Sequence, residues 1–124
     1  MEGKAVLLVD DDSVIRTLFS HTLRQVGVTV IEAENAQSAL EQLSEGIHID
    51  AVITDYRMPG MNGIDFANVL DKQYPLMLVS SDELTTLVAK NPSIRIFRQK
   101  PLTPGELLSG LRALIHESTT IGVE

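Results

Sequence analysis

The chain has 124 residues, 44% of them apolar and 22% charged, proportions that indicate one globular domain large enough to bury a core. Ten basic against 17 acidic residues give a net charge of −7, so the sequence offers no electrostatic basis for direct binding to nucleic acid. The absence of cysteine excludes disulfides and thiolate metal sites, and no stretch resembles a signal peptide or a membrane span. We therefore expect a soluble cytoplasmic protein with no membrane partner.

Short apolar runs alternate with helical patterns along the chain, which is typical of repeated βα units around a parallel sheet. The five predicted strands are Ala5–Val9, Val28–Ala33, Ala51–Thr54, Leu76–Val79 and Ile94–Phe97. Strict alternation with five helices predicts the α/β class, with a doubly wound five-stranded parallel sheet of order 2-1-3-4-5, the flavodoxin-like arrangement.

The first predicted helix has an N-cap at Asp12 and a C′ glycine at Gly27. Apolar and small side chains recur along it at spacings of three and four, which predicts one buried stripe. That stripe consists of Val14, Ile15, Leu18, Phe19, Thr22, Leu23 and Val26.

The other predicted helices differ in how firmly the sequence anchors them. The second stops at Gly46, and the third runs from about Ile64 to Lys72. The fourth, from Glu83 to Lys90, has only Leu84, Leu87 and Val88 as sizeable apolar anchors, so we expect it to be weakly held. The fifth opens with Thr103-Pro104-Gly105-Glu106, a capping-box pattern.

Acidic residues follow two of the predicted strands. Asp10, Asp11 and Asp12 come after the first strand and Asp55 after the third, and the carboxyl ends of parallel strands meet at one edge of a sheet. Two carboxylates about 4 Å apart repel by ~4 kcal/mol at an effective dielectric of about 20. An oxygen-only cluster of this kind suits Mg²⁺, which favours a metal site for Asp10, Asp11 and Asp55. For Asp12 a role at the helix N-terminus is favoured instead.

Three side chains near strand ends, Asp55, Lys100 and Ser80, fit phosphoryl chemistry. The carboxylate of Asp55, set apart from the acidic pair, is a candidate nucleophile that forms an acyl phosphate. Lys100 supplies a mobile positive charge for phosphoryl oxygens, and the Ser80 hydroxyl is a hydrogen-bond donor.

Four stretches together resemble the receiver domain of two-component response regulators. They are Val9-Asp10-Asp11, the loop Asp55-Tyr56-Arg57-Met58-Pro59-Gly60-Met61-Asn62-Gly63, Val79-Ser80-Ser81 and Lys100-Pro101. The resemblance runs from about Lys4 to Leu114, and the long loop is its most specific part. It implies a receiver domain over residues 1–118, with 119–124 as a tail or the start of a linker.

The resemblance also implies roles for individual residues. Asp55 is the phosphoacceptor, and Mg²⁺, for which Mn²⁺ could substitute, is held by Asp10, Asp11, Asp55 and the backbone carbonyl of Arg57. Lys100 and Ser80 sense the phosphoryl group, and Phe97 occupies the aromatic switch position. An aromatic residue at the end of an edge strand is equally well explained as part of the core.

Arg57 and Asp82 lie two residues beyond Asp55 and Ser80, where family members tune the lifetime of the phosphoryl group. Our hypothesis is that the Arg57 guanidinium pairs with phosphoryl oxygens and hinders attacking water. Asp82 could oppose this by attracting water or by pairing with Arg57.

By the same resemblance the phosphoryl donor is a sensor histidine kinase or a histidine phosphotransfer protein. Phosphorylation changes the face formed by helix four, strand five and helix five, which signals to a downstream output domain or protein. The resemblance leaves room for a homodimer on phosphorylation. Beyond its own phosphorylation and dephosphorylation the domain is not an enzyme.

Two other functions remain open from the sequence. Asp10-x-Asp12 after an apolar strand matches the nucleophile motif of haloacid-dehalogenase-like phosphatases, with Asp10 as nucleophile and Asp12 as general acid. Against it, no acidic pair follows Lys100 and Asp55 is left without a role. The second alternative is a receiver-like interaction module that is never phosphorylated.

Overall fold

The computed structural model describes residues 1–120, and side chains up to residue 116. Five strands alternate with five helices, as predicted. The strands are β1 (Ala5–Val9), β2 (Thr29–Ala33), β3 (Ala51–Asp55), β4 (Leu76–Ser80) and β5 (Ile96–Gln99). The helices are α1 (Ser13–Gln25), α2 (Ala36–Ser44), α3 (Gly63–Leu70), α4 (Thr85–Ala89) and α5 (Pro104–Thr120). All strand pairs are parallel and their order is β2-β1-β3-β4-β5, which confirms the predicted fold class.

The sheet separates two apolar layers, and successive side chains of β1 point alternately into one layer and the other. Val6 and Leu8 pack with the layer that contains α1 and α5, whereas Leu7 and Val9 pack with the layer that contains α2 and α3. All four side chains are at most 1% exposed. Strand β1 is therefore covered on both faces, as is typical of a parallel sheet.

Helix α1 has the predicted caps but a narrower buried face. Asp12 Oδ1 accepts from the backbone N–H groups of Val14 and Ile15 at 2.9 and 3.2 Å, and Gly27 has a φ of +85°. The prediction that Val14 and Leu18 are buried is wrong, because their side chains are 65% and 57% exposed. The predicted stripe was too broad for the sheet to cover.

Helix α3 and strand β5 end at other residues than predicted. Helix α3 stops at Leu70, two residues short of Lys72, because Asp71 and Lys72 have φ values of 48° and 66°, outside the helical region. Strand β5 begins at Ile96 and extends to Gln99, whose register partner is Ser80.

Helix α4 is the least anchored helix of the described chain. It has five residues, no side-chain N-cap and no buried residue. Leu84 and Val88 pack against the core, but Leu87 is 41% exposed and so anchors less than predicted. The prediction of a weakly held fourth helix is confirmed.

Side chains close the outer edge of the sheet at β2. Arg24 of α1 donates to the carbonyl of Val30 at 3.2 Å, and Gln42 of α2 donates to the carbonyl of Glu32 at 2.9 Å. These carbonyls belong to an edge strand and have no neighbouring strand to bond. The two side chains therefore take the place of a sixth strand at this edge.

Helix α5 begins with the predicted capping box. The N–H of Thr103 donates to Glu106 Oε1 at 2.8 Å, and the N–H of Glu106 donates to Thr103 Oγ1 at 3.1 Å. The helix reaches Thr120, so the predicted tail at 119–124 overlaps its last two residues, and 121–124 lie outside the described residues. No helix in the described part of the chain has the length and apolar character needed to span a membrane.

Candidate functional site

Three carboxylates meet at the carboxyl edge of the sheet. Asp10 follows β1, Asp11 follows it, and Asp55 ends β3; each offers an oxygen atom, and these oxygens all lie within 4.8 Å of one another. Asp10 is buried, Asp55 half-buried and Asp11 exposed, so the cluster opens toward solvent on one side. The ends of β1 and β3 thus bring these residues together, as expected for parallel strands.

Lys100 bridges two of the three carboxylates. Its Nζ lies 3.2 Å from Asp10 Oδ2 and 3.3 Å from Asp55 Oδ1, and its side chain is 15% exposed. One positive charge thus faces three negative ones, which leaves the cluster short of positive charge.

The acceptor candidate Asp55 is held by one of its two oxygens. Oδ1 accepts from the backbone N–H of Tyr56 at 2.9 Å and lies beside Lys100. Burial raises the pKa of Asp55, and the negative charge of Asp10 raises it further, while Lys100 and the Tyr56 N–H oppose that rise. Oδ2 has no hydrogen-bond partner among the described residues.

Gly63 lets the loop after β3 close against Asp55. Its N–H donates to the carbonyl of Tyr56 at 2.8 Å, and a Cβ atom at this position would lie only 2.1 Å from the carbonyl oxygen of Asp55 and 2.7 Å from Leu78. No side chain fits there. The last glycine of the sequence motif therefore sets how closely α3 approaches Asp55.

Ser80 lies at the end of β4, next to the register partner of Asp55. Its side chain is buried, and its Oγ accepts from the backbone N–H of Asp82 at 3.0 Å. The Ser80 carbonyl accepts from the N–H of Lys100 at 2.8 Å. The serine and the lysine singled out in the sequence are thus joined through the backbone.

Arg57 and Asp82 form an ion pair with two contacts. Nε of Arg57 lies 2.6 Å from Asp82 Oδ2, and Nη2 lies 3.2 Å from Oδ1. The hydrogen bond from Arg57 lowers the pKa of Asp82, and the pKa of Arg57 is raised in turn. The arginine side chain is 78% exposed. Of the two roles considered for Asp82, the structure contains pairing with Arg57.

Phe97 is half-buried on β5, opposite Leu78 of β4. It packs against the core layer that contains α2 and α3, the same layer that Leu84 and Val88 contact. The ring thus lies on the α4 side of the sheet.

The carboxylate of Asp12 caps α1, as favoured from the sequence. Its Oδ1 is occupied by two backbone N–H groups of the helix. The phosphatase alternative needs this carboxylate as a general acid, and its place in the cap gives that alternative no support.

Sequence reasoning missed Arg16. Its Nη1 donates to the carbonyl of Asp10 at 2.6 Å, and its Nε lies 3.1 Å from Glu32 Oε1. One signal was available: Glu32 is a charged residue inside the otherwise apolar run that forms β2, and such a residue needs a partner.

The donor set of the cluster fits Mg²⁺. All three side chains offer oxygen, the one nearby amine leaves excess negative charge, and one carboxylate faces solvent. The half-open arrangement also leaves room for the water ligands that Mg²⁺ retains.

Comparison with known proteins identifies the family. Residues 6–112 match the sequence model of the response regulator receiver domain. The chain is 29% identical over 118 residues to chemotaxis protein CheY1 of Helicobacter pylori, covering 89% of this chain and 95% of that protein. It is 34% identical over 119 residues to the transcriptional regulatory protein AruR of Pseudomonas aeruginosa, covering 90% of this chain but only 49% of that protein.

A solved structure of a response regulator has a fold similar to that of this chain. The response regulator protein TrrA of Thermotoga maritima, in complex with Mg²⁺ and BeF, superposes with a TM-score of 0.80 at 26% identity, covering 90% of this chain and 98% of TrrA. The chain thus spans nearly all of some relatives and about half of others. The chain belongs to the response regulator receiver domain family.

Proposed function

We propose that this chain is a phosphoacceptor switch that takes a phosphoryl group onto Asp55. The observation that carries the proposal is the position of the Asp55 carboxylate. It shares Lys100 with Asp10, and one of its oxygens lies within 4.8 Å of a carboxylate oxygen of Asp10 and of Asp11, close enough for one cation to bind all three. The Mg²⁺ named in the complex of the relative TrrA supports a cation at this cluster.

In the proposed step, Oδ2 of Asp55 forms a bond to phosphorus while the bond from phosphorus to the donor's imidazole nitrogen breaks. Lys100 and the Tyr56 N–H hold Oδ1 of Asp55, which fixes the orientation of the carboxylate and so of Oδ2. Mg²⁺ held by Asp10, Asp11, Asp55 and the backbone carbonyl of Arg57, or Mn²⁺ in its place, would neutralise the charge on the phosphoryl oxygens. The Ser80 hydroxyl, which now accepts from Asp82, would donate to one of these oxygens.

The proposed donor is a histidine kinase or a histidine phosphotransfer protein. A groove of about 790 Å³ lies beside Lys100, between α1 and the start of α5, and most of its lining is apolar. Its wall includes Leu18, which is exposed although it is apolar. An apolar surface next to the acceptor supports docking of a protein donor rather than of a free metabolite alone.

The proposed output is a change in the face formed by α4, β5 and α5. When Ser80 turns toward the phosphoryl group, Phe97 moves into the space it leaves, and the shift reaches α4. The weak anchoring of α4 supports this, because a helix with no buried residue can be displaced at small cost. The signal passes to a downstream protein or output domain. Dimerisation of this chain through the same face is one form that the output can take.

The test is incubation with acetyl phosphate and Mg²⁺ followed by intact mass measurement. Wild type should gain one phosphoryl group, and the gain should be absent in Asp55→Asn and after removal of the cation with EDTA. Asp65→Asn, on an exposed carboxylate of α3, is the matched control and should be phosphorylated like wild type. A folded wild type that gains no mass would leave the unphosphorylated interaction module as the better function.

We further propose that Arg57 prolongs the phosphoryl lifetime and that Asp82 competes for it. Arg57→Ala should lose its phosphoryl group about two- to fivefold faster, the rate equivalent of a surface ion pair of up to about 1 kcal/mol. Asp82→Asn frees the guanidinium and should slow the loss. The measurement is decay of the phosphorylated mass after removal of donor. Unchanged or slower loss in Arg57→Ala would contradict the role.

A further inference from the structure

One side chain connects the acidic cluster to the edge strand. Arg16 donates from Nη1 to the carbonyl of Asp10 at 2.6 Å, and its Nε lies 3.1 Å from Oε1 of Glu32 on β2. The Arg16 side chain is only 19% exposed. A charge-assisted hydrogen bond and an ion pair at opposite sides of one planar group hold it in a single place.

The carbonyl that Arg16 holds belongs to the peptide bond between Asp10 and Asp11. Two further hydrogen bonds fix the backbone around this peptide. The N–H of Asp10 donates to the carbonyl of Ala33 at 3.1 Å, and the N–H of Asp12 donates to Asp10 Oδ1 at 2.9 Å. The carboxylate of Asp11 itself has no hydrogen bond or ion pair among the described residues. Its direction therefore depends on the peptide that Arg16 holds.

We propose that Arg16 is a positioning residue for the cation site: by holding the Asp10–Asp11 peptide, it directs the Asp11 carboxylate at the cation that the cluster would share. This inference rests on the proposed function, because it requires Mg²⁺ at the cluster. Groups that orient metal ligands without touching the metal typically change metal affinity about 10- to 100-fold. Arg16→Met should therefore raise the dissociation constant for Mg²⁺ about tenfold.

Loss of the Arg16 charge alone would strengthen Mg²⁺ binding, whereas loss of its hold on the peptide should weaken it. The direction in which the Mg²⁺ dissociation constant changes therefore distinguishes the two effects. Arg16 bonds the backbone carbonyl of Asp10, so removal of its positive charge should strengthen the attraction of the neighbouring acidic cluster for a cation. Weaker Mg²⁺ binding by Arg16→Met can then come only from the lost hold on the peptide.

Arg24 provides the matched control. Its Nη2 lies 3.3 Å from Oε2 of Glu32, so it pairs with the same carboxylate as Arg16, but it bonds Val30 and not Asp10. Arg24→Met removes the same charge from the same partner and leaves the Asp10 carbonyl bonded. Its Mg²⁺ affinity should equal or slightly exceed that of wild type.

The experiment is a Mg²⁺ titration of the full chain, followed by the NMR shifts of the backbone amides around Asp10 and Asp55. The same spectra show whether each metal-free variant is folded. Phosphorylation by acetyl phosphate as a function of Mg²⁺ gives a second readout: Arg16→Met should reach the wild-type rate, but at about tenfold more Mg²⁺. Arg16→Lys, which keeps one donor for the carbonyl, should regain part of the affinity.

The outcomes separate this inference from the function on which it rests. Weaker binding by Arg16→Met with unchanged binding by Arg24→Met supports it. Equal loss in both variants, unchanged or tighter binding by Arg16→Met, or no recovery in Arg16→Lys would overturn it and leave the phosphoacceptor function standing. A folded wild type whose amides do not respond to Mg²⁺ would overturn both.

Discussion

Strand β3 has a carboxylate at each end, and the two are in opposite situations. Asp50, just before the strand, accepts from the N–H of Ala5 at 2.8 Å and lies 3.0 Å from Nε2 of His48. Burial raises the pKa of Asp50, but the hydrogen bond from Ala5 and the contact with His48 outweigh this and lower the pKa overall. At the other end, burial and Asp10 raise the pKa of Asp55.

The difference separates an end of the sheet where the carboxylate is matched with donors from an end where negative charge is left unmatched. At the amino end, a carboxylate is matched with donors and helps to hold β1 to β3. At the carboxyl end, three carboxylates lie close together and one lysine pairs with only two of them, an arrangement that costs stability and suits the binding of a cation. The fold tolerates this cost because β1 and all of β3 except Asp55 are buried beneath the cluster.

The largest effect is expected at the carboxyl end. Gly63→Ala places a methyl group 2.1 Å from the Asp55 carbonyl oxygen, so the loop or α3 must move. The free energy of unfolding in urea should fall by about 2 kcal/mol, as is typical of overpacking. At Gly105 of α5 the nearest atom lies 3.9 Å away, and Gly105→Ala should be neutral or stabilising. Equal stability of the two variants would show that the loop between β3 and α3 has more freedom than its contacts indicate.

A smaller effect is expected at the amino end. Because the pKa of Asp50 is lowered by folding, its charge stabilises the protein above the unfolded-state pKa, and that stabilisation is lost as the pH falls through the folded-state pKa. Asp50→Asn keeps an acceptor for Ala5 but loses the charge, so at neutral pH it should cost up to about 1 kcal/mol. Urea unfolding from neutral to acid pH should show the two proteins converging at the acid end. A constant difference across this range would contradict a charge effect.

The smallest effect has the opposite sign. Asp11→Asn removes one of three crowded negative charges, so the metal-free protein should become more stable by about 0.5 kcal/mol. Excess Mg²⁺ should stabilise wild type but stabilise the variant much less, so that the order reverses. Asp65→Asn removes a carboxylate from the first turn of α3, where the helix dipole favours it, and should be slightly destabilising in both conditions. Thermal unfolding with and without Mg²⁺ tests this, and a destabilised metal-free Asp11→Asn would contradict it.

The sequence was sufficient for the parts of the molecule that depend on local pattern. Alternating apolar runs gave the strand order, and the rule for parallel strand ends placed Asp10, Asp55 and Lys100 together. Capping residues were equally local, which is why the Asp12 N-cap and the capping box of Thr103 and Glu106 were predicted.

Other features depended on tertiary geometry. Val14 and Leu18 fit the helical period of α1 but fall outside the arc that the sheet covers. The end of α3 depended on the left-handed backbone of two residues, Asp71 and Lys72, that are neither glycine nor asparagine. The contact of Arg16 with Asp10 joins a helix side chain to a backbone carbonyl, and a carbonyl leaves no mark in the sequence.

The closed edge at β2 restricts where this protein can associate with others. Because Arg24 and Gln42 occupy the carbonyls of Val30 and Glu32, an incoming strand would have to displace both side chains before it could add to the sheet. Growth of the sheet into a polymer is thus hindered on that flank.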